Sequence, residues 1–194
     1  MFVVLFQVEP RPDRWDDYLR YAAILRPELE KIDGFFDNRR FRSRGHAGRL
    51  LSLSLWRDEK ALVRWRAHPM HHGVQAKGRA EVFRDYDLRV GEVVRDNGAV
   101  QTQFRFDETQ AGSARAVSII EQPPSEVPPG APGLLDWDLF DGVLDASDRC
   151  LLLFWRDSEA METATLQGGG RRLDVRIVRH YGLSDRAEAP QFHA

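Results

Sequence analysis

The chain has 194 residues, enough for one large domain or two small ones, with 42% hydrophobic and 30% charged residues, as in an ordinary globular protein. A formal net charge of -2 gives no electrostatic footprint for nucleic acid or an anionic membrane surface. A single cysteine, Cys150, excludes an internal disulfide framework and a cysteine-rich metal centre.

Met1 to Val8 is apolar, but it lacks a basic leader and stops at Glu9-Pro10. It reads as a buried first strand of a cytoplasmic protein rather than a signal peptide or a membrane span. Asp13 to Ile32 follows as a helix with an apolar stripe of Trp15, Leu19, Ala22, Ala23 and Leu29, which Pro27 is expected to kink or break near its end. Gly34 ends the connection, Phe35 to Ser43 is a second strand, and Gly45 to Gly48 turns the chain into a third.

That third strand opens the most informative stretch, Leu51 to Arg79. Leu51, Leu53 and Leu55 alternate with Ser52, Ser54 and Trp56, the period of a strand with two unlike faces. Asp58 is a helix N-cap, with Ala61, Leu62 and Trp65 at helical spacing behind it. Pro69 breaks that helix and starts a further helical turn carrying Met70, His71, His72 and Gln75. Phe83 to Arg95 is a fourth strand. The order β-α-β-β-α-β predicts a ferredoxin-like α+β unit, with antiparallel sheet on one side and helices on the other.

The second half repeats the first. Gly34-Phe35-Phe36-Asp37 with Phe41 lies on Gly133-Leu134-Leu135-Asp136 with Phe140, displaced by 99 residues; Leu55-Trp56-Arg57-Asp58 with Ala61 lies on Phe154-Trp155-Arg156-Asp157 with Ala160 at the same displacement. Val94 to Gly98 lies on Val178 to Gly182, displaced by 84, and Val4 to Pro10 lies weakly on Val117 to Pro123, displaced by 113. The falling displacement marks deletions. A proline-rich run from Pro123 to Pro132 stands where the first helix belongs, and Gly168-Gly169-Gly170 closes the gap after the second. Trp65 becomes Ala164, His68 becomes Gln167, and nothing answers to His71 or His72. The expected organisation is residues 1–98 as the unit with the pocket, 99–113 as a linker, 114–183 as a degenerate repeat acting as scaffold, and 184–194 as a flexible tail. The two units are expected to pack sheet to sheet, each covering the other's bare apolar face.

The WRDE turn, the WRAHPMHH run, the QAKGR stretch and the FRDYDLRVGEVVRD strand, together with the IDGF turn at Gly34, resemble the antibiotic biosynthesis monooxygenase domain of dimeric α+β-barrel proteins. The likeness covers about residues 1–98. It implies two ferredoxin-like units packed as an intramolecular dimeric α+β barrel, with a site between sheet and helices. It also implies one of two chemistries: oxidation of polycyclic phenols or anthrones by oxygen without a cofactor, or binding and opening of haem. The positions where haem-degrading members carry an asparagine, a tryptophan and a ligating histidine hold Gln7, Trp65 and Gln75. The tryptophan, asparagine, tyrosine and arginine of the anthrone-oxidising members fall on Trp56, Ser52, Leu62 and Gln75. Each set keeps only its tryptophan.

The leading expectation is a small cofactor-free oxygenase acting on an aromatic or quinol-like substrate with molecular oxygen. His71 or His72 would take the proton, Gln7 would position the oxygen, and Trp65 would wall the reacting ring. Trp56, His68, Ser52, Gln75, Phe83 and Tyr86 complete the expected pocket. Trp56 recurs as Trp155 in the stripped copy and so reads equally as core. His68, His71 and His72 share a helix face, yet no carboxylate or cysteine is interleaved with them to complete a metal set. Haem held by His71 or His72 is the alternative, and a non-enzymatic ligand-binding or assembly module is a third. The expected partners are a small substrate and oxygen, no nucleic acid and no membrane, in an intramolecular pseudo-dimer whose bare faces would favour a further homodimer.

Overall fold

In the computed structural model, which describes residues 1–123, 130–164 and 169–190, the first half runs β1 (Phe2–Pro10), α1 (Trp15–Leu29), β2 (Phe35–Ser43), β3 (Leu50–Trp56), α2 (Glu59–Ala67), α3 (Pro69–Lys77) and β4 (Phe83–Asp96). A two-residue strand, β5 (Ala99–Val100), folds back on β4. The second half runs β6 (Ala116–Glu121), β7 (Leu134–Gly142), β8 (Arg149–Trp155), α4 (Ser158–Thr163) and β9 (Arg172–Gly182). Every strand pairing is antiparallel, in the order β1-β3-β2-β7-β8-β6-β9-β4, and β4 pairs again with β1. Eight strands therefore close into a barrel with no open edge among them. The protein is a pair of ferredoxin-like units fused into one dimeric α+β barrel, and among the described residues the second unit keeps a single six-residue helix. Among the described residues no helix is long and apolar enough to cross a membrane.

The barrel interior is the main core. Val3, Leu5, Leu51, Leu53 and Leu55 of the first unit meet Val117, Ile119, Leu152, Phe154 and Val175 of the second, all buried. Each contributes on the order of 1.5–3 kcal/mol by leaving water. The opposite faces of the same strands carry separate clusters: Phe2, Trp56 and Val90 under the helices of the first unit, and Leu151, Leu153 and Trp155 beneath α4.

The repeated signatures touch one another, which explains why they recur together. Arg57 N donates to Gly34 O at 2.7 Å, and Arg156 N donates to Gly133 O at 2.9 Å. Both glycines hold positive φ, +88° and +80°, and a Cβ on either would press on the Cβ of Ala61 or Ala160 at 2.7 or 2.4 Å. Asp58 and Asp157 cap α2 and α4 by accepting from Ala61 N at 2.8 Å and Ala160 N at 2.7 Å. The 99-residue displacement thus carries a complete strand-turn-cap joint.

The first-strand alignment needs a correction of one residue. Phe2 faces Trp56 and Ala116 faces Trp155, so β1 and β6 correspond at a displacement of 114, not 113. In a strand a one-residue slip exchanges the two faces; the corrected register places Val3 and Leu5 with Val117 and Ile119 inside the barrel. The 84-residue displacement of the last strands agrees with the pairings Phe2 to Glu92 and Ala116 to Arg176. Helix α1 continues to Leu29 with Pro27 inside its last turn and stops short of Ile32. Most of the proline-rich run, Gln167 and Gly168, and the last four residues lie outside the described residues.

The connecting and terminal stretches are tied down by side chains. Glu92 on β4 is wholly buried and accepts from Phe104 N at 2.6 Å, Arg105 N at 3.1 Å and Arg176 Nη2 at 3.0 Å. Where the sequence suggests a loose tail after Leu183, Glu188 instead accepts from Thr109 Oγ1, Gln110 N and His180 N at 2.6, 2.6 and 2.7 Å. Residues up to Pro190 are folded back against the barrel by these bonds.

Candidate functional site

A cavity of about 220 Å³ lies between the outer face of β2-β3-β1-β4 and helices α1, α2 and α3. Strand alternation selects its floor. Val4 and Phe6 of β1, Asn38 and Arg40 of β2, Ser52, Ser54 and Trp56 of β3, and Leu88 and Val90 of β4 all point away from the barrel. Tyr18, Tyr21, Ala22, Leu25 and Leu29 of α1 and Leu62, Trp65, His71, Val74 and Gln75 of α2 and α3 form the roof.

Trp56 is buried in the floor, where its Nε1 donates to Ser54 Oγ at 2.9 Å and its ring meets Phe35 edge-on at 5.3 Å. Beside it Asn38 Nδ2 donates to Ser52 Oγ at 2.9 Å and to Leu53 O at 3.1 Å. Overhead, Trp65 stacks on His71 with ring centroids 4.3 Å apart and planes 14° from parallel, and on His68 at 5.6 Å. His71 Nδ1 sits 3.0 Å from Trp65 O. A carbonyl only accepts, so Nδ1 carries the proton and Nε2 carries the lone pair. Burial lowers the His71 pKa to about 4, against the raising effect of that carbonyl, so the ring is neutral at pH 7. Burial also raises the Tyr18 phenol, opposed by the neighbouring Arg40 guanidinium.

The expected site residues divide. Trp56, Trp65, Ser52, His71, Gln75, Phe83 and Tyr86 line the cavity. His72 and His68 do not: His72 is exposed on the far side of α3, while His68 forms the joint between α2 and α3 and turns Nε2 to within 3.8 Å of Glu28. Gln7 is on the other side of the sheet. It shares a face with Val3 and Leu5, so it points into the barrel, where Arg89 Nη1 donates to its Oε1 at 2.8 Å and the Arg89 guanidinium lies 4.5 Å from the Phe154 ring centre. It cannot position oxygen in the cavity, because two residues adjacent in a strand never share a face and Phe6 already lies on the floor. Among the described residues no group of three His, Cys, Asp or Glu side chains is placed to hold a metal ion.

Three features were missed by the sequence reading. Asn38 lies on the cavity floor. The strand-two arginines split by alternation: Arg39 pairs with Glu121, and Arg40 lines the cavity. The second unit also contributes to the cavity wall through Arg179 and Tyr181 of β9, followed by Arg186 and Pro190. Arg186 Nη1 donates to Tyr86 OH at 2.5 Å, which fastens this segment to the rim. The cavity is lined by six arginines, at 26, 40, 66, 79, 179 and 186. The sole carboxylate among the described lining residues is Glu59, which Arg105 Nη1 contacts at 2.7 Å through both oxygens. A cavity with an apolar interior and a strongly cationic lining is therefore built into a chain of net negative charge.

Residues 1–77 match the sequence pattern of the antibiotic biosynthesis monooxygenase family. A curated relative, jasmonate monooxygenase ABM of Pyricularia oryzae, is 40% identical over 214 aligned positions that cover 100% of this chain and 98% of the relative. Among solved structures, Rv0793 from Mycobacterium tuberculosis superposes with a TM-score of 0.42 at 20% identity, covering 46% of this chain and 90% of its own. An anthrone oxidase-like protein gives a TM-score of 0.40 at 12% identity, with 98% of this chain and 96% of its own covered. With a relative of that identity spanning its full length, the chain belongs to the antibiotic biosynthesis monooxygenase family.

Proposed function

We propose that this protein is a monooxygenase for a small, mainly apolar carboxylic acid, whose carboxylate docks among the cavity arginines with Arg40 as its principal partner. The observation that carries the reading is the arginine lining above an aromatic and aliphatic interior, in which the one lining carboxylate, Glu59, is taken by Arg105 and Arg26 is paired with Glu30. Guanidinium groups pair with carboxylates in two parallel hydrogen bonds, the strongest polar contact such a wall offers. The Pyricularia relative is named for jasmonate, an acid of this kind.

The reaction proposed is cofactor-free. When a CH₂ group beside a carbonyl becomes C=O with one oxygen atom from dioxygen, its two hydrogens and two electrons reduce the other atom to water; when a phenol becomes a quinone, the two hydrogens come from one ring CH and the hydroxyl. Such a substrate needs no outside reductant once it is deprotonated. His71 Nε2 is the base. It is uncharged at neutral pH but weak while its conjugate acid titrates near 4; an anion seated among the arginines strengthens it by favouring the imidazolium. Trp56, Trp65 and Phe83 hold the ring and keep water out.

These residues do not fit haem. His71 is stacked flat against Trp65, and Gln75, at the position of the ligating histidine, offers iron only a carboxamide. Titration with haem followed by absorbance is expected to show no saturable binding. Saturation at one haem per chain that His71→Ala abolishes would reverse this reading.

The acid is tested with jasmonic acid and its methyl ester, using quenching of tryptophan fluorescence for binding and labelled dioxygen with mass spectrometry for turnover. The acid is expected to bind at least about tenfold more tightly than the ester, and Arg40→Leu to weaken the acid roughly 10- to 100-fold while leaving the ester unchanged. One labelled oxygen atom should enter the product without added reductant. Equal binding of acid and ester would remove the carboxylate reading.

A further inference from the structure

The most exposed chemical demand in the cavity comes from Asn38. The residue is 6% exposed, and its Oδ1 is fully buried with no hydrogen-bond partner among the described residues. An unpaired buried amide oxygen costs on the order of 1–3 kcal/mol. The amide cannot be turned over to relieve it, because Nδ2 donates to the carbonyl of Leu53 at 3.1 Å and to Ser52 Oγ at 2.9 Å. The reversed amide would set oxygen against the Leu53 carbonyl. Nδ2 is thus held by β3, and Oδ1 is left on the other arm of a side chain that lines the cavity.

Its surroundings narrow what can satisfy it. Ser54 stands opposite Asn38 on β3, and the Trp56 Nε1 proton is already given to Ser54 Oγ. The arginine nearest in sequence on the same face, Arg40, lies toward Tyr18 and does not bond to Oδ1, its own buried Nε being likewise without a partner among the described residues, and Arg26 gives its Nη1 proton to the main-chain oxygen of Asn38 at 3.1 Å. The partner that Oδ1 needs is a neutral donor small enough to lie on an apolar floor.

We propose that Asn38 Oδ1 accepts a hydrogen bond from a hydroxyl group of the bound molecule, making Asn38 a specificity-determining residue that selects alcohols, phenols or enols over their deoxy counterparts. The inference rests on the cavity being the substrate site, and it does not depend on the substrate being an acid. A site with a buried unpaired acceptor holds a ligand lacking the donor more weakly, because the desolvation cost then stays unrecovered.

Two matched pairs of probes test this by quenching of tryptophan fluorescence: para-ethylphenol against ethylbenzene, and para-hydroxyphenylacetate against phenylacetate. In the wild-type protein the hydroxylated member of each pair is expected to bind about tenfold more tightly. Asn38→Leu, which keeps the side chain's shape, should erase that preference while leaving the affinity for the deoxy members unchanged. Equal affinity within both pairs, no binding by any of the four, or a preference that survives in Asn38→Leu would overturn the proposal. The wild-type comparison needs no substitution, so a variant that folds poorly does not weaken the test. A hydroxyl preference in both pairs without tighter binding of the acids would sustain the role of Asn38 and refute the carboxylate docking. The opposite pattern would do the reverse.

Discussion

Glu92→Ala is expected to lower the free energy of unfolding by about 3–5 kcal/mol, read as a fall in the urea midpoint with little change in slope. Glu92 is buried completely and meets three donors: the main-chain N–H groups of Phe104 and Arg105, and the guanidinium of Arg176. Removing the carboxylate leaves Arg176, whose side chain is only 11% exposed, without its counter-charge. It also releases the two amides that hold the connection between the units against β4. The double replacement Glu92→Leu with Arg176→Leu is expected to cost less than Glu92→Ala alone, because both charges then avoid desolvation. A loss below about 1 kcal/mol in the single variant would show that water reaches the pair and that the connection is not anchored there.

Acid is expected to destabilise the protein through His71 before most carboxylates titrate. Its pKa is about 4 in the folded chain against 6.5 for a free histidine, so between these values the unfolded chain binds the extra proton. Stability is therefore full above pH 6.5 and is lost as the pH falls toward 4, by up to about 3 kcal/mol. The carboxylates with lowered pKa values, among them Glu9 beside Arg84 and Arg49 and Asp96 beside Arg171, act in the same direction but only as the pH falls from about 5 through their ordinary range and below. His71→Phe retains an aromatic ring against Trp65 and removes the titration. Unfolding midpoints measured at several pH values should slope between 6.5 and about 5 in the wild type and be nearly flat there in the variant; parallel curves would place the slope on another group.

Much of the fold could be read from the sequence because its signals are local. The Trp-Arg-Asp joint recurs with its glycine and alanine partners, and a period of two marks the faces of β3 without ambiguity. The first-strand copy was misplaced by one residue because Val4 to Pro10 and Val117 to Pro123 share little beyond a proline, and an apolar strand buried on both faces loses the alternation that fixes register. The same loss misdirected Gln7. In Phe-Val-Val-Leu-Phe-Gln-Val both faces of β1 are apolar, so the side on which its one polar residue falls is set by the partner strands. Trp56 and Trp65 could be placed because each sits at a strand end or helix turn with clear periodicity. The cationic wall could not be read that way. Arg40 is separated from Arg39 only by strand alternation, and Arg179 and Arg186 reach the cavity from more than a hundred residues away through closure of the barrel.

The two seams of that barrel pair each half with its own copy. On β4 and β9 Glu92 lies opposite Arg176, its counterpart at the 84-residue displacement; on β2 and β7 Arg42 lies opposite Asp141, its counterpart at 99. These are the places where the pseudo-twofold axis crosses the sheet. In an assembly of two identical chains a residue on the axis must face itself, so a charge there meets the same charge, and such sites are restricted to groups that tolerate their own image. Joining the copies in one chain removes that restriction. Both axial positions now hold opposite charges, acid against base, an arrangement that gene duplication permits and that exact symmetry forbids.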